Sequence, residues 1–261
     1  MRTLMMMMTV VVYAVGAYSF GGAAMAQGRS AGAAKNVVLV HGAFADDSSW
    51  SKVVPLLKAK GFRVTTAGNP LTSFADDVAA AKRAIAAQDG PTVLVGHSYG
   101  GVVITEAGND PKVVSLVYVA AFAPDAGQSI GEISQAFAKP AGLDQLQPQP
   151  DGFLLLSQKG IEEDFAQDLT PAEKAKLVAA QRKTAGAIFE AKPTAAAWHG
   201  KPTWYVVSSN DRMIDPEHEK SMATQIKAKA TVLPSSHVAM LSHPADVAKV
   251  IEEAAANRQR P

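Results

Sequence analysis

The chain contains no cysteine. That excludes disulfides, thiolate metal sites, a cysteine nucleophile and a lipid-modified N-terminal cysteine, so the core holds together by burial alone. Net charge is nearly absent as well: 25 Lys and Arg against 24 Asp and Glu leave +1 at pH 7. So balanced a chain offers nothing to attract nucleic acid or an anionic membrane surface. There is no phosphate-binding glycine loop, no H-E-x-x-H and no histidine–carboxylate cluster at metal-ligand spacing, so neither metal nor cofactor is expected. Beyond the N-terminal stretch, no apolar run is long enough to span a bilayer.

That stretch has the form of a secretory signal peptide. Arg2 supplies a positive start, Leu4 to Ala17 is apolar apart from Thr9 and Gly16, and Ala24-Met25-Ala26 offers an A-x-A cleavage site. The expectation is cleavage after Ala26, giving a secreted or periplasmic protein with no stable membrane association afterwards. An uncleaved anchor, or initiation at Met25, are the rivals. Residues 27–35 are small and flexible, a tether ahead of a folded domain over 36–261.

Within that domain, short apolar runs alternate with helical stretches. Asn36–Val40 and Phe62–Thr66 read as strands, Val53–Leu57 as an amphipathic helix, and Ser73-Phe74-Ala75-Asp76 as a capping box opening a helix to Gln88. Further strands follow at Val93–Val95 and Val113–Ala120. This is the pattern of an α/β fold with a doubly wound, mainly parallel sheet. The alternation stops after Ala121. Residues 124–199 read as a mostly helical cap insertion, with a helix over 171–189 and Glu162-Glu163-Asp164 as a solvated helix start. Alternation resumes at Thr203–Val207, through a helix from Pro216 and a strand at Thr231–Leu233, to a closing helix from Pro244.

The chemistry centres on Gly96-His97-Ser98-Tyr99-Gly100, a G-x-S-x-G nucleophile elbow between a buried strand and a helix. A serine hydroxyl needs a base to take its proton, and that base needs a carboxylate to orient it. In an open α/β sheet both should stand where strands end. Asp211 follows the strand ending at Val207, and His237 follows the strand ending at Leu233. Asp215 better suits a helix start beside Pro216, and Asp125 a hinge into the insertion. Of the other histidines, His41 belongs to the loop after the first strand, His97 is the variable elbow position, His218 reads as solvated and His243 lies near a helix start. The oxyanion needs two preorganised donors. The backbone N–H of Tyr99 is one, and Ala43, preferred over Phe44, is the other.

His41-Gly42-Ala43-Phe44 with Ser49-Trp50, Gly96 to Gly101, and Ser236-His237 resemble the α/β-hydrolase superfamily. Within it, they resemble the branch of carboxylesterases, plant methyl-ester hydrolases and hydroxynitrile lyases. Hydroxynitrile lyases carry a threonine in the oxyanion loop and a lysine after the catalytic histidine; Gly42 and Val238 stand here, the esterase-like choices. The resemblance implies a serine esterase acting on a small, fairly apolar carboxylic ester through an acyl-enzyme. The alternatives are a non-catalytic small-molecule receptor, a hydroxynitrile lyase or a cofactor-free perhydrolase. Phe44, Phe122, Phe153 and Trp198 are candidates to line the substrate pocket, beneath a cap that sets which esters enter. The expected partner is a small-molecule ester, and oligomeric state is left between monomer and homodimer.

Overall fold

The computed structural model describes residues 34–257. Strands β1 (Asn36–Val40), β2 (Arg63–Thr66), β3 (Thr92–Ser98) and β4 (Val113–Ala121) alternate with helices α1 (Val53–Ala59), α2 (Phe74–Ala86) and α3 (Gly100–Ala107). The chain then enters the cap, with helix α4 (Ile130–Ser134), strands β5 (Leu146–Pro148) and β6 (Phe153–Leu156), helices α5 (Gln158–Gly160) and α6 (Pro171–Ala180), and strand β7 (Thr184–Ala185). It returns through β8 (Thr203–Ser208), α7 (Pro216–Gln225), β9 (Lys229–Leu233), α8 (Ala239–Ser242) and α9 (Pro244–Ala256).

The main sheet has six strands in the order β2-β1-β3-β4-β8-β9, and every pair in it is parallel. Parallel strands joined by helices make right-handed crossovers. The step from β1 to β2 runs opposite to the later steps, so α1 lies on one face and α2, α3 and α7 on the other. Helix α9 packs on α1 and over β3, β4 and β8, completing the first face. Strands β1 and β3, covered on both faces, are buried along their whole length. That is why their sequences are near-continuous apolar runs and not alternating ones.

Strand order reverses between β1 and β3, which flank the crevice where open α/β sheets bind ligands. The loop from His41 and the turn at Ser98 leave the sheet at this point.

The cap differs from the sequence reading in two places. Helix α6 ends at Ala180, and Thr184–Ala185 form a strand pairing antiparallel with Phe153–Leu154 in a three-stranded sheet β5-β6-β7. Tertiary pairing overrides helical propensity there. The Gln181 side chain bonds both Leu156 N–H (2.6 Å) and Leu156 C=O (3.1 Å), imitating a strand neighbour where the helix stops. In the acidic run, Asp164 is buried with its Oδ1 2.7 Å from Arg212 Nε, so it is not solvated.

Candidate active site

Ser98 ends β3 with φ of 53°, in the left-handed region where a side chain is strained. The register against β4 shifts between His97 and Ser98, so Ser98 faces Ala121. A bulge of this kind re-aims a side chain. The glycines beside it are required by distance. A Cβ on Gly96 would stand 2.5 Å from Gly100 O, and one on Gly42 would stand 2.7 Å from Ser98 Cβ.

Asp211 and His237 meet. His237 Nδ1 lies 2.6 Å from Asp211 Oδ2, and both residues are buried. The other oxygen, Asp211 Oδ1, accepts the N–H groups of Met213 (2.6 Å) and Ile214 (3.0 Å), which fixes the carboxyl orientation. The Nδ1–H to carboxyl bond leaves Nε2 as the nitrogen able to accept a proton. Asp215 caps α7 by accepting Glu217 N–H, and Asp125 pairs with His199 at the root of the cap.

Ser98, His237, Ala43 and Phe44 line one cavity of about 590 Å³, between the sheet edge and the cap. Its walls are mostly apolar, including Phe122, Phe137, Phe165, Phe189 and Leu154. Of the pocket residues expected from sequence, Phe44 and Phe122 line it; Phe153 and Trp198 do not. Phe153 pairs within the cap sheet, and Trp198 is buried with its Nε1–H donating to Pro124 O at 3.0 Å. His218, read from sequence as solvated, is buried in the cavity wall, stacked on Phe137 with ring centroids 4.1 Å apart. Burial lowers its pKa to about 4, so the ring is neutral at pH 7.

The loop after β1 separates its two candidate donors. Phe44 N–H donates to Thr184 Oγ1 at 2.9 Å and is therefore engaged with the cap. Ala43 precedes it in the cavity wall. Tyr99 precedes α3, at a helix start where backbone N–H groups lack intrahelical partners and favour negative charge.

Four supporting residues carry no signal in the sequence. His97 Nε2–H donates to the His237 carbonyl at 2.9 Å, and burial holds its ring neutral. Buried Asp77 accepts both Leu71 N–H and the Tyr99 hydroxyl at 2.8 Å. Burial raises its pKa to about 6 against those two bonds. Glu219, fully buried behind Asp211, accepts Ser208 N–H at 3.0 Å. Burial and then the neighbouring Asp211 push its carboxyl well above the usual range, which favours the protonated form. Thr184 is the fourth, reaching in from the cap. Among the described residues, no group of three or more His, Asp or Glu could hold a metal ion.

A doubly wound sheet, a serine at a strained strand–helix turn and a cap over the crevice define a hydrolase of the α/β class. The chain belongs to the alpha/beta hydrolase family, whose model matches residues 37–250. Methylesterase 8 of Arabidopsis thaliana is similar, 29% identical over 210 residues that cover 72% of this chain and 76% of that protein. A pyrethroid hydrolase of Sphingobium wenxiniae is 25% identical over 254 residues, covering 84% of this chain and 86% of its own. Among solved structures, a pyrethroid hydrolase from Sphingobium faniae superposes with a TM-score of 0.73 at 23% identity, covering 85% of this chain and 97% of that one.

Proposed function

We propose that the protein is a serine esterase cleaving apolar carboxylic esters. Ser98 Oγ attacks the ester carbonyl while His237 Nε2 takes the hydroxyl proton. The Ala43 and Tyr99 N–H groups receive the oxyanion. His237 then returns the proton to the leaving alcohol, and water activated by the same imidazole releases the acyl group from Ser98. Asp211 holds the ring in its tautomer and stabilises the imidazolium. The observation that carries this reading is a His237 imidazole, held by buried Asp211, that lines one cavity with a strained elbow serine.

The cavity argues for the substrate class. Its volume of about 590 Å³ exceeds what a short acyl ester fills, and phenylalanines face it from the sheet side and the cap. Esters with an aromatic or long acyl or alcohol part match that lining; small esters would leave much of it empty. Export follows from the signal-like residues 1–26, which lie outside the described residues.

The test is hydrolysis of p-nitrophenyl acetate, butyrate and octanoate by wild type and Ser98→Ala. The expected result is kcat/KM rising with acyl length, and a loss of about three or more powers of ten in Ser98→Ala. Equal, slow turnover by both proteins would contradict Ser98 as the nucleophile of an esterase.

A further inference from the structure

The cap strand β7 bonds two loop residues that share an unusual backbone state. Phe44 has φ of 62° and Leu71 has φ of 63°, both bulky side chains in the left-handed region. Such conformations persist only where surrounding contacts over-determine them. For Phe44 those contacts come from the cap on both sides of the residue. Its N–H donates to Thr184 Oγ1 at 2.9 Å, and its carbonyl accepts Arg182 N–H at 3.2 Å. For Leu71, the carbonyl accepts Ala185 N–H at 2.9 Å and the N–H donates to Asp77 Oδ1 at 2.8 Å. The other oxygen of Asp77 accepts the hydroxyl of Tyr99 at 2.8 Å. The strand thus reaches one oxyanion donor through the residue beside Ala43, and the other through Leu71 and Asp77. Thr184 is fully buried and is itself held by pairing with Leu154 of β6.

We propose that Thr184 is a positioning residue: its hydroxyl, presented by the cap strand, sets the oxyanion loop so that the Ala43 N–H points at the reacting carbonyl. The cap is then part of the transition-state machinery as well as a wall of the substrate cavity. The proposal rests on Ser98 being the nucleophile. Oxyanion stabilisation demands donors placed to fractions of an ångström, so losing the bond that fixes Phe44 lowers turnover more than substrate binding.

The experiment compares Thr184→Val, which keeps the shape and removes the hydroxyl, with Thr184→Ser, which keeps the hydroxyl. Each is assayed with p-nitrophenyl octanoate and with 2-phenylethylboronic acid as inhibitor. The Ser98 oxygen adds to boron, its proton passes to His237, and the resulting tetrahedral anion occupies the oxyanion site. The expected result for Thr184→Val is kcat lower by about 10- to 100-fold with KM within about threefold. Boronate affinity falls by a similar factor, and Thr184→Ser stays close to wild type in both. A Thr184→Val protein with wild-type kcat and boronate affinity would overturn the proposal, as would a Thr184→Ser protein impaired as severely as Thr184→Val. If Thr184→Val fails to fold, an impaired Thr184→Ser with an unchanged melting temperature overturns it, and wild-type kinetics and boronate affinity support it. Ser98→Ala, run alongside, separates the two levels. Loss of turnover there with an unaffected Thr184→Val removes only the clamp, whereas retained turnover removes the esterase reading and the clamp together.

Discussion

At the scale of single residues, three buried titratable groups behind the site lead to distinct expectations. Burial favours the uncharged form of Glu219, whose carboxyl accepts Ser208 N–H. Glu219→Gln keeps both properties and is expected to change stability by less than about 1 kcal/mol and kcat by less than about threefold. Glu219→Ala leaves the Ser208 N–H unpaired and opens a cavity behind Asp211, with an expected loss of about 2–4 kcal/mol. Denaturant unfolding of both variants checks the pair, and a Gln variant as damaged as Ala would contradict a neutral glutamic acid. Asp77 carries a pH signature. Burial lifts its folded pKa to about 6, above the ordinary aspartate value of 3.8, so the folded state binds the proton more tightly. Its contribution to stability is present in full below the lower value and is lost as pH rises through the higher one. The melting temperature of wild type minus that of Asp77→Asn should therefore fall between pH 4 and pH 7; a flat difference would contradict it. At His97, removing the Nε2–H in His97→Leu strands the buried His237 carbonyl. The expected cost is about 1–3 kcal/mol, measured by denaturant unfolding.

At the scale of elements, legibility followed how local the determinants are. The elbow was readable because two glycines and a serine at fixed spacing produce the turn almost unaided. The loops carrying Asp211 and His237 were readable because each follows a strand end, where the sheet must deliver it. Thr184 and Asp77 were not readable. Their roles depend on contacts with residues distant in sequence, such as Thr184 with Phe44, and nothing in their own neighbourhoods marks them. His218 misled for a related reason. Helix α7 is polar, with Pro216-Glu217-His218-Glu219-Lys220 at its start, yet packing turns His218 toward the cavity and Glu219 into the core. The cap was the hardest element, since β7 has two residues and no strand pattern of its own. A prediction belongs at this scale too. His218→Phe keeps an aromatic stack on Phe137 and removes an imidazole from the cavity wall, so kcat/KM for p-nitrophenyl octanoate should hold or rise. A fall of about tenfold or more in steady-state kinetics would mean the imidazole itself contacts the ester.

At the scale of the whole molecule, the cap is tied to each loop that supplies the site. Thr184 and Arg182 hold Phe44. Gln167 donates to Asn210 O at 2.6 Å, and Asp164 pairs with Arg212, both flanking Asp211. Asp168 accepts Ser236 N–H at 2.7 Å, next to His237. A cap so connected is tied down as a scaffold, and the proposed function assigns substrate choice to the cavity it encloses. The N-terminal boundary is also a property of the whole chain. Ala34 N–H donates to Ala255 O at 3.0 Å, docking the start of the described residues against α9. Protein beginning at Gln27 is expected to match the full chain in melting temperature and in kcat. The proposed export and cleavage predict Gln27 as the N-terminus of the mature protein, checked by mass spectrometry of the extracellular and periplasmic fractions.

The most direct test of the central claim is to catch the acyl-enzyme. Wild-type protein mixed rapidly with p-nitrophenyl octanoate should release a burst of p-nitrophenol close to one per molecule. Acid quenching within the burst, followed by intact-mass and peptide analysis, should place an octanoyl group on Ser98 and none in Ser98→Ala. Turnover without any covalent acyl-protein, or an acyl group carried by another side chain at wild-type rates, would contradict the account.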